Sequence, residues 1–203
     1  MDHGTPVKVT FLGDVGCGKS SIIARFISNT FELSNATTVG ACSYNKSLNI
    51  SGKNINFYLW DTAGQEKYRS ISKMLYRDAR AVVLVYDCCS RGSFQSLESW
   101  HNSVMETAPS NIIIIIVGNK KDFENEYIQV SEEEAEEYAK KIGASIYQVS
   151  AKTGENIDMI FYEIAMKLNL KVTNSVAKTE DYDPNQSFQL SNTNPKKKKK
   201  NCC

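Results

Sequence analysis

Gly13-Asp14-Val15-Gly16-Cys17-Gly18-Lys19-Ser20 decides the reading of this chain: two glycines bracket four residues, and Lys and Ser follow the second. Residues 7–12 before it form a β-rich run broken only by Lys8 and Thr10. Residues 19–27 after it carry Ile22, Ile23, Phe26 and Ile27 at helical spacing. The order is strand, glycine loop, helix. Glycines let such a loop curl until its N–H groups converge on an anion, and the helix N-terminus adds its positive end. Lys19 supplies a cation to outer phosphates and Ser20 a hydroxyl for Mg²⁺, so residues 13–20, with Ser21 behind them, form a candidate phosphate site. That points to a nucleoside triphosphatase or a kinase and does not choose the base.

Working outward, residues 44–50 and 55–60 are β-like and are separated by Ser51-Gly52-Lys53-Asn54, whose turn chemistry predicts a hairpin. Residues 81–86 and 112–117 are nearly continuous apolar runs, the pattern of strands buried on both faces of a parallel sheet. Phe94, Leu97 and Trp100 share one side of a helix predicted over 93–105. Ser131 opens another, with Glu134 at the capping-box position and Glu132 and Glu133 near the positive helix end. Residues 146–149 read as a last strand, and Ile157, Phe161, Ile164, Ala165 and Leu168 line a final amphipathic helix. This alternation predicts an α/β, doubly wound, three-layer phosphate-loop fold: a six-stranded, mostly parallel sheet flanked by about five helices, filling residues 1–170. Residues 171–203 are polar, without apolar periodicity, and read as a flexible tail.

With 203 residues, 41% hydrophobic and 23% charged, the chain has the make-up of one soluble globular domain. The net charge of +1 is uneven: seven lysines against three acids give the stretch from Lys171 onward +4, which leaves the body at −3. A nucleic-acid-binding face on the body is therefore not expected. The first eleven residues lack the apolar stretch of a secretory signal, and the longest aliphatic run has six residues, far short of a span. Cytosolic residence is expected, with Cys17, Cys42, Cys88 and Cys89 as free thiols.

Three further segments carry chemistry. Asp61-Thr62-Ala63-Gly64-Gln65 ends the 55–60 strand, which puts Asp61 on the ligand side of an α/β sheet as a partner for Mg²⁺, directly or through water. Asn119-Lys120-Lys121-Asp122 and Ser150-Ala151-Lys152 follow the next strands. Asp122 can accept from the N1–H and exocyclic amine of guanine, a donor pair that adenine lacks, and a wrong base would leave that carboxylate unpaired.

With these motifs in this order the chain resembles a Rab GTPase over about residues 7–168. Trp60-Asp61-Thr62-Ala63-Gly64-Gln65-Glu66 is similar to the family's second switch signature, and Lys67-Tyr68-Arg69-Ser70-Ile71 and Leu75-Tyr76-Arg77-Asp78-Ala79 are similar to two Rab-associated segments. The resemblance implies a switch in vesicle traffic that binds GTP or GDP with Mg²⁺ and hydrolyses GTP slowly. It implies that Thr38 joins Ser20 and Asp61 at Mg²⁺, that Phe31 packs edge-on against guanine, that Gly64 senses the γ-phosphate, and that Gln65 orients the attacking water, with Lys19 completing the catalytic set. It also implies an exchange factor, a GTPase-activating protein, a GDP-dissociation inhibitor, effectors, and a Rab escort protein with its geranylgeranyltransferase. Tyr68, Tyr76 and Trp60 would lie near the effector surface. Val39-Gly40-Ala41 and Ala108-Pro109-Ser110-Asn111-Ile112 are similar to early-endosomal Rabs.

Lys196–Lys200 followed by Asn201-Cys202-Cys203 joins a basic run to a terminal cysteine pair that resembles the Rab target for double prenylation. Two lipids plus lysines suffice to hold a protein on an anionic bilayer. Two residues depart from the family pattern. Ser43 stands where a bulky aromatic is usual, and Tyr44 next to it faces the other side of a strand. Val15 replaces a smaller residue and is expected to crowd Gln65 and an incoming arginine finger, slowing hydrolysis.

Overall fold

The computed structural model describes residues 4–32, 37–38, 40–50, 52–64 and 74–173. Six strands, β1 (Thr5–Leu12), β2 (Ala41–Ile50), β3 (Lys53–Thr62), β4 (Ala81–Asp87), β5 (Ile113–Asn119) and β6 (Ser145–Gln148), form one sheet in the order β2-β3-β1-β4-β5-β6. Every pairing is parallel except the β2–β3 hairpin. Four long helices lie among the described residues: α1 (Lys19–Ser28), α2 (Arg91–Met105), α3 (Glu132–Ile142) and α4 (Ile157–Thr173). Residues 74–76 add a helical turn.

The apolar runs place the layers. β4 is buried along Ala81–Tyr86, and alternation sends Ala81, Val83 and Val85 to one face and Val82, Leu84 and Tyr86 to the other. The first set packs with α1 and α4 through Ile22, Phe26, Phe161 and Ile164; the second packs with α2 and α3 through Leu97, Trp100, Val104 and Ala135. Phe26 stacks on Phe161 with centroids 3.4 Å apart, and Phe57 meets both rings edge-on. Aromatic pairs of this kind contribute about 0.5–1.5 kcal/mol beyond their burial. They fasten α1 and α4 onto the sheet at β3.

Helix ends follow their caps. Ser131 accepts from the Glu134 N–H at 3.2 Å, three glutamates occupy the first turn of α3, Lys140 and Lys141 its last, and Gly143 closes it at φ 68°. The Glu134 carboxylate is paired with Arg91 of α2. α2 begins two residues ahead of the expected start because Ser90 caps it, accepting from the Ser93 N–H. The hairpin turn is also tighter than its sequence suggests: pairing continues to Ile50 opposite Lys53, so two residues of the four-residue separator belong to the strand.

β2 keeps Tyr44 opposite Leu59 and Ser43 opposite Trp60. The register is unslipped, so Tyr44 lies on the other face from Trp60 and does not stand in for the missing aromatic. Tyr76 is 1% exposed and its hydroxyl meets Ser103 of α2 at 2.8 Å, which makes it a core residue and removes it from any contact surface. Trp60 is half-buried beneath the Lys8 ammonium, 5.1 Å from the ring centre, and Tyr68 lies outside the described residues. α4 continues through Thr173, past the expected domain end at 170. None of the described helices is long and apolar enough to cross a membrane.

Gly118 of β5 has no room for a side chain: a Cβ there would stand 2.0 Å from Gln148 Oε1 and 2.6 Å from the Tyr86 hydroxyl, which are bonded to each other through Gln148 Nε2 at 2.8 Å. Gly118→Ala is expected to destabilise the fold by about 1–3 kcal/mol, because the hydrogen-bonded Gln148–Tyr86 pair must move. Urea denaturation with nucleotide in excess checks this; an unchanged midpoint would show that the pair yields freely.

Candidate nucleotide site

β1 is the point from which the chain runs to β3 on one side and β4 on the other, so the loop after it opens into the crevice where α/β sheets take ligands. Gly13, Gly16 and Gly18 adopt φ of 141°, 80° and 94°, values that side chains resist. Gly18 is the N-cap of α1 and has no side-chain cap, so the first N–H groups of the helix are left for a ligand. A Cβ on Gly13 would meet the Val85 carbonyl oxygen at 2.1 Å. The loop is clamped directly against β4.

Lys19 is 5% exposed, and its ammonium donates to the Gly13 and Asp14 carbonyls at 2.7 and 2.9 Å. Carbonyl dipoles orient this charge without neutralising it. Asp14, a member of the candidate phosphate loop through its backbone, has its carboxylate held from α2: Oδ1 accepts from Trp100 Nε1 at 2.9 Å. Cys17 is buried, with Sγ 3.8 Å from Lys19 Nζ, and burial pushes its thiol pKa up. It packs the underside of the loop.

Ser20, Thr38 and Asp61 converge. The Ser20 hydroxyl donates to Asp61 Oδ2 at 2.6 Å and lies 2.9 Å from Thr38 Oγ1. Asp61 is 2% exposed and its second oxygen, Oδ1, is buried without a hydrogen-bond partner. Burial raises its carboxyl pKa, opposed by the Ser20 hydroxyl and the Lys19 ammonium. A cluster of hard oxygens with one orphaned carboxylate oxygen suits Mg²⁺, which would supply the missing partner.

The base loops are tied to the phosphate loop by one side chain. Asn119, 2% exposed, donates from Nδ2 to the Cys17 carbonyl at 2.9 Å and accepts at Oδ1 from the Ala151 N–H at 3.1 Å. Lys120, at φ 72°, pairs with Asp87 at 2.6 Å. Asp122 accepts from the Ser150 hydroxyl at 2.6 Å, with Lys152 Nζ 3.5 Å away. These bonds hold the carboxylate in one orientation.

The three segments enclose a cavity of ≈ 400 Å³. Val15, Gly16, Gly18, Lys19, Ser20 and Ser21 line its phosphate end; Asn119, Lys120, Asp122, Ala151 and Lys152 line the other. Phe31, half-buried against the core, and Thr38 and Gly64 complete the expected set, while Gly13, Asp14, Cys17, Ser150 and Asp61 sit behind the wall. Gln65 lies outside the described residues. Glu32, Thr37, Thr62 and Phe123 also line the cavity without having been assigned a role from the sequence; each stands next to a predicted site residue, Phe31, Thr38, Asp61 and Asp122 in turn, and that adjacency is the signal they carry. Gly64 touches the phosphate loop so closely that a Cβ would stand 2.4 Å from Val15 N.

A glycine loop at the carboxyl edge of the sheet, a buried lysine at its focus and an oxygen cluster beside it define a phosphate-loop nucleotide-binding protein. The Ras family model matches residues 8–170. Ras-related protein RHN1 of Nicotiana plumbaginifolia is 39% identical over 161 residues, 79% of this chain and 80% of that one. Ras-related protein Rab5 of Nicotiana tabacum is 38% identical over 161 residues with the same coverage, and Ras-related protein SEC4 of Candida albicans (strain WO-1) is 40% identical over 159 residues, 78% of this chain and 75% of that one. The chain belongs to the Ras family, in its Rab branch, and is a small GTPase, a GTP-binding switch of vesicle traffic.

Trp100→Phe keeps a buried aromatic ring but removes part of the indole's volume together with the donor to Asp14. It is expected to lower unfolding free energy by about 1–3 kcal/mol, from stranding a charged acceptor and from the cavity left in the core. Guanidinium denaturation checks this; wild-type stability would show that the carboxylate finds water instead.

Proposed function

We propose that this chain binds GTP and GDP with Mg²⁺ in the cavity between the phosphate and base loops, hydrolyses GTP slowly, and recruits effectors to a membrane while GTP-bound. The observation that carries the reading is the enclosure of Lys19, Ser20, Asn119 and Asp122 around one cavity, with the Asp61 orphan oxygen behind Ser20. Backbone N–H groups of 13–20 and Lys19 take the phosphates. Asp122, held by Ser150 and Lys152, accepts the guanine donor pair, and Phe31 covers the base edge-on. Ser20 and Thr38, with Asp61 directly or through water, would hold Mg²⁺, which would supply positive charge beside the phosphates. Gly64 meets the γ-phosphate and Gln65 orients the water; neither needs covalent chemistry, so placement governs the rate.

Val15 bears on that placement. Val15 is 54% exposed and lines the phosphate end of the cavity, where its β-branched side chain would compete for space with Gln65 and an arginine finger. Hydrolysis is accordingly impaired and the GTP form long-lived. The second reading, a nucleotide-holding scaffold with hydrolysis largely lost, rests on the same exposure. Val15→Gly is expected to raise single-turnover GTP hydrolysis at least about tenfold with a matched activating protein present, a fraction of the roughly 10³–10⁵-fold that an arginine finger can supply. Equal rates for both proteins, with and without the activator, would remove Val15 from the account.

Residues 171–203 act as the tether. Prenylated at Cys202 and Cys203 by the geranylgeranyltransferase with the escort protein, and drawn by Lys196–Lys200, the chain cycles between cytosol and the cytoplasmic side of an intracellular membrane. A GDP-dissociation inhibitor extracts the GDP form and an exchange factor reloads it. The early-endosomal resemblance and the likeness to Rab5 support the endosome as that membrane. Deleting both cysteines is expected to move the tagged protein wholly to the cytosol on cell fractionation; unchanged membrane retention would count against the tether.

A further inference from the structure

Arg25 of α1 commits all three guanidinium nitrogens to two segments that flank the cavity. Nε donates to the Ala151 carbonyl at 2.9 Å and Nη2 to the Lys152 carbonyl at 2.6 Å, while Nη1 donates to the carbonyl and side-chain oxygens of Asn29 at 3.0 and 2.9 Å. The Ala151 peptide is thereby gripped on both sides, its N–H by Asn119 and its carbonyl by Arg25. Asn29 is the C-cap of α1, held at φ 55°, and Phe31 on the cavity wall lies two residues beyond it. Gly154, at φ 92°, lies against the same arginine, where a Cβ would be 3.6 Å from Arg25 Cδ. Arg25 does not itself line the cavity.

We propose that Arg25 is a positioning residue that couples the base loop at Ala151-Lys152 to the end of α1 at Asn29, so that the guanine wall and the Phe31 wall open together and the nucleotide is held longer. The inference rests on the guanine-site reading above. A planar fork with fixed donor directions serves three carbonyls at once, whereas a lysine ammonium on the same stem is a single point charge and cannot span them. Losing the fork frees two walls that each touch the base side of the ligand. Arg25 makes no hydrogen bond to Lys19 or Gly64 at the hydrolytic end.

Stopped-flow release of a fluorescent GDP analogue, with Mg²⁺ and excess unlabelled GDP, tests this on wild type, Arg25→Ala and Arg25→Lys. Release is expected to quicken about tenfold in Arg25→Ala, the loss of several charge-assisted hydrogen bonds, and to be only partly restored in Arg25→Lys. Added methylguanidinium should slow release from Arg25→Ala, and single-turnover hydrolysis at saturating GTP should stay unchanged. Wild-type release from both variants, full restoration by lysine, or a parallel fall in hydrolysis would overturn the proposal. If Arg25→Ala does not fold, wild-type release from Arg25→Lys overturns it alone. A wild-type chain that retains an ADP analogue as long as the GDP analogue would overturn the guanine reading instead, and Arg25 is then judged on release of that ADP analogue.

Discussion

The Asn119 carboxamide is the junction on which the site depends. It is buried, it spends its donor on the phosphate loop at Cys17 and its acceptor on the base loop at Ala151, and it stands where a Cβ on Gly18 would come within 2.2 Å of its nitrogen. Each half of the site is a loop, and loops alone do not hold a fixed spacing. One buried amide, bonded at both its nitrogen and its oxygen, sets that spacing.

Everything else positions this junction. Continuous apolar strands bury the sheet on both faces, the Phe26–Phe161–Phe57 cluster fixes α1 beneath the loop, and the Gly13 contact with Val85 seats the loop on β4. Trp100 holds the Asp14 carboxylate from the opposite layer, and Tyr76 is bonded to Ser103 on the same helix. The phosphate loop and the segment leading out of the second switch therefore hang from one helix. Movement at either is resisted by the core, which behaves as a packed solid.

Much of this was legible because it is local. Residues 81–86 and 112–117 could only be strands buried on both faces, Ser131 and Glu134 announce a helix start, and the glycine loop announces an anion site. The hairpin turn was read two residues too long because Lys53 and Asn54, polar members of a solvent-facing strand end, carry no apolar signal. The illegible part is long-range and polar. Tyr76 resembles part of a contact surface in sequence and is a core residue, and nothing in the sequence marks Trp100 as the partner of Asp14 or Arg25 as the partner of Ala151 and Lys152; each of these bonds joins residues far apart in the chain, which periodicity does not encode.

The central claim is that the cavity is a guanine-nucleotide site whose oxygen cluster works with Mg²⁺. Extraction and chromatography of the nucleotide carried by the natively purified full chain test it most directly. The account predicts one equivalent of GDP or GTP, lost on chelating Mg²⁺. Adenine nucleotide, an empty protein that does not load with GDP and Mg²⁺, or retention indifferent to the chelator would contradict it.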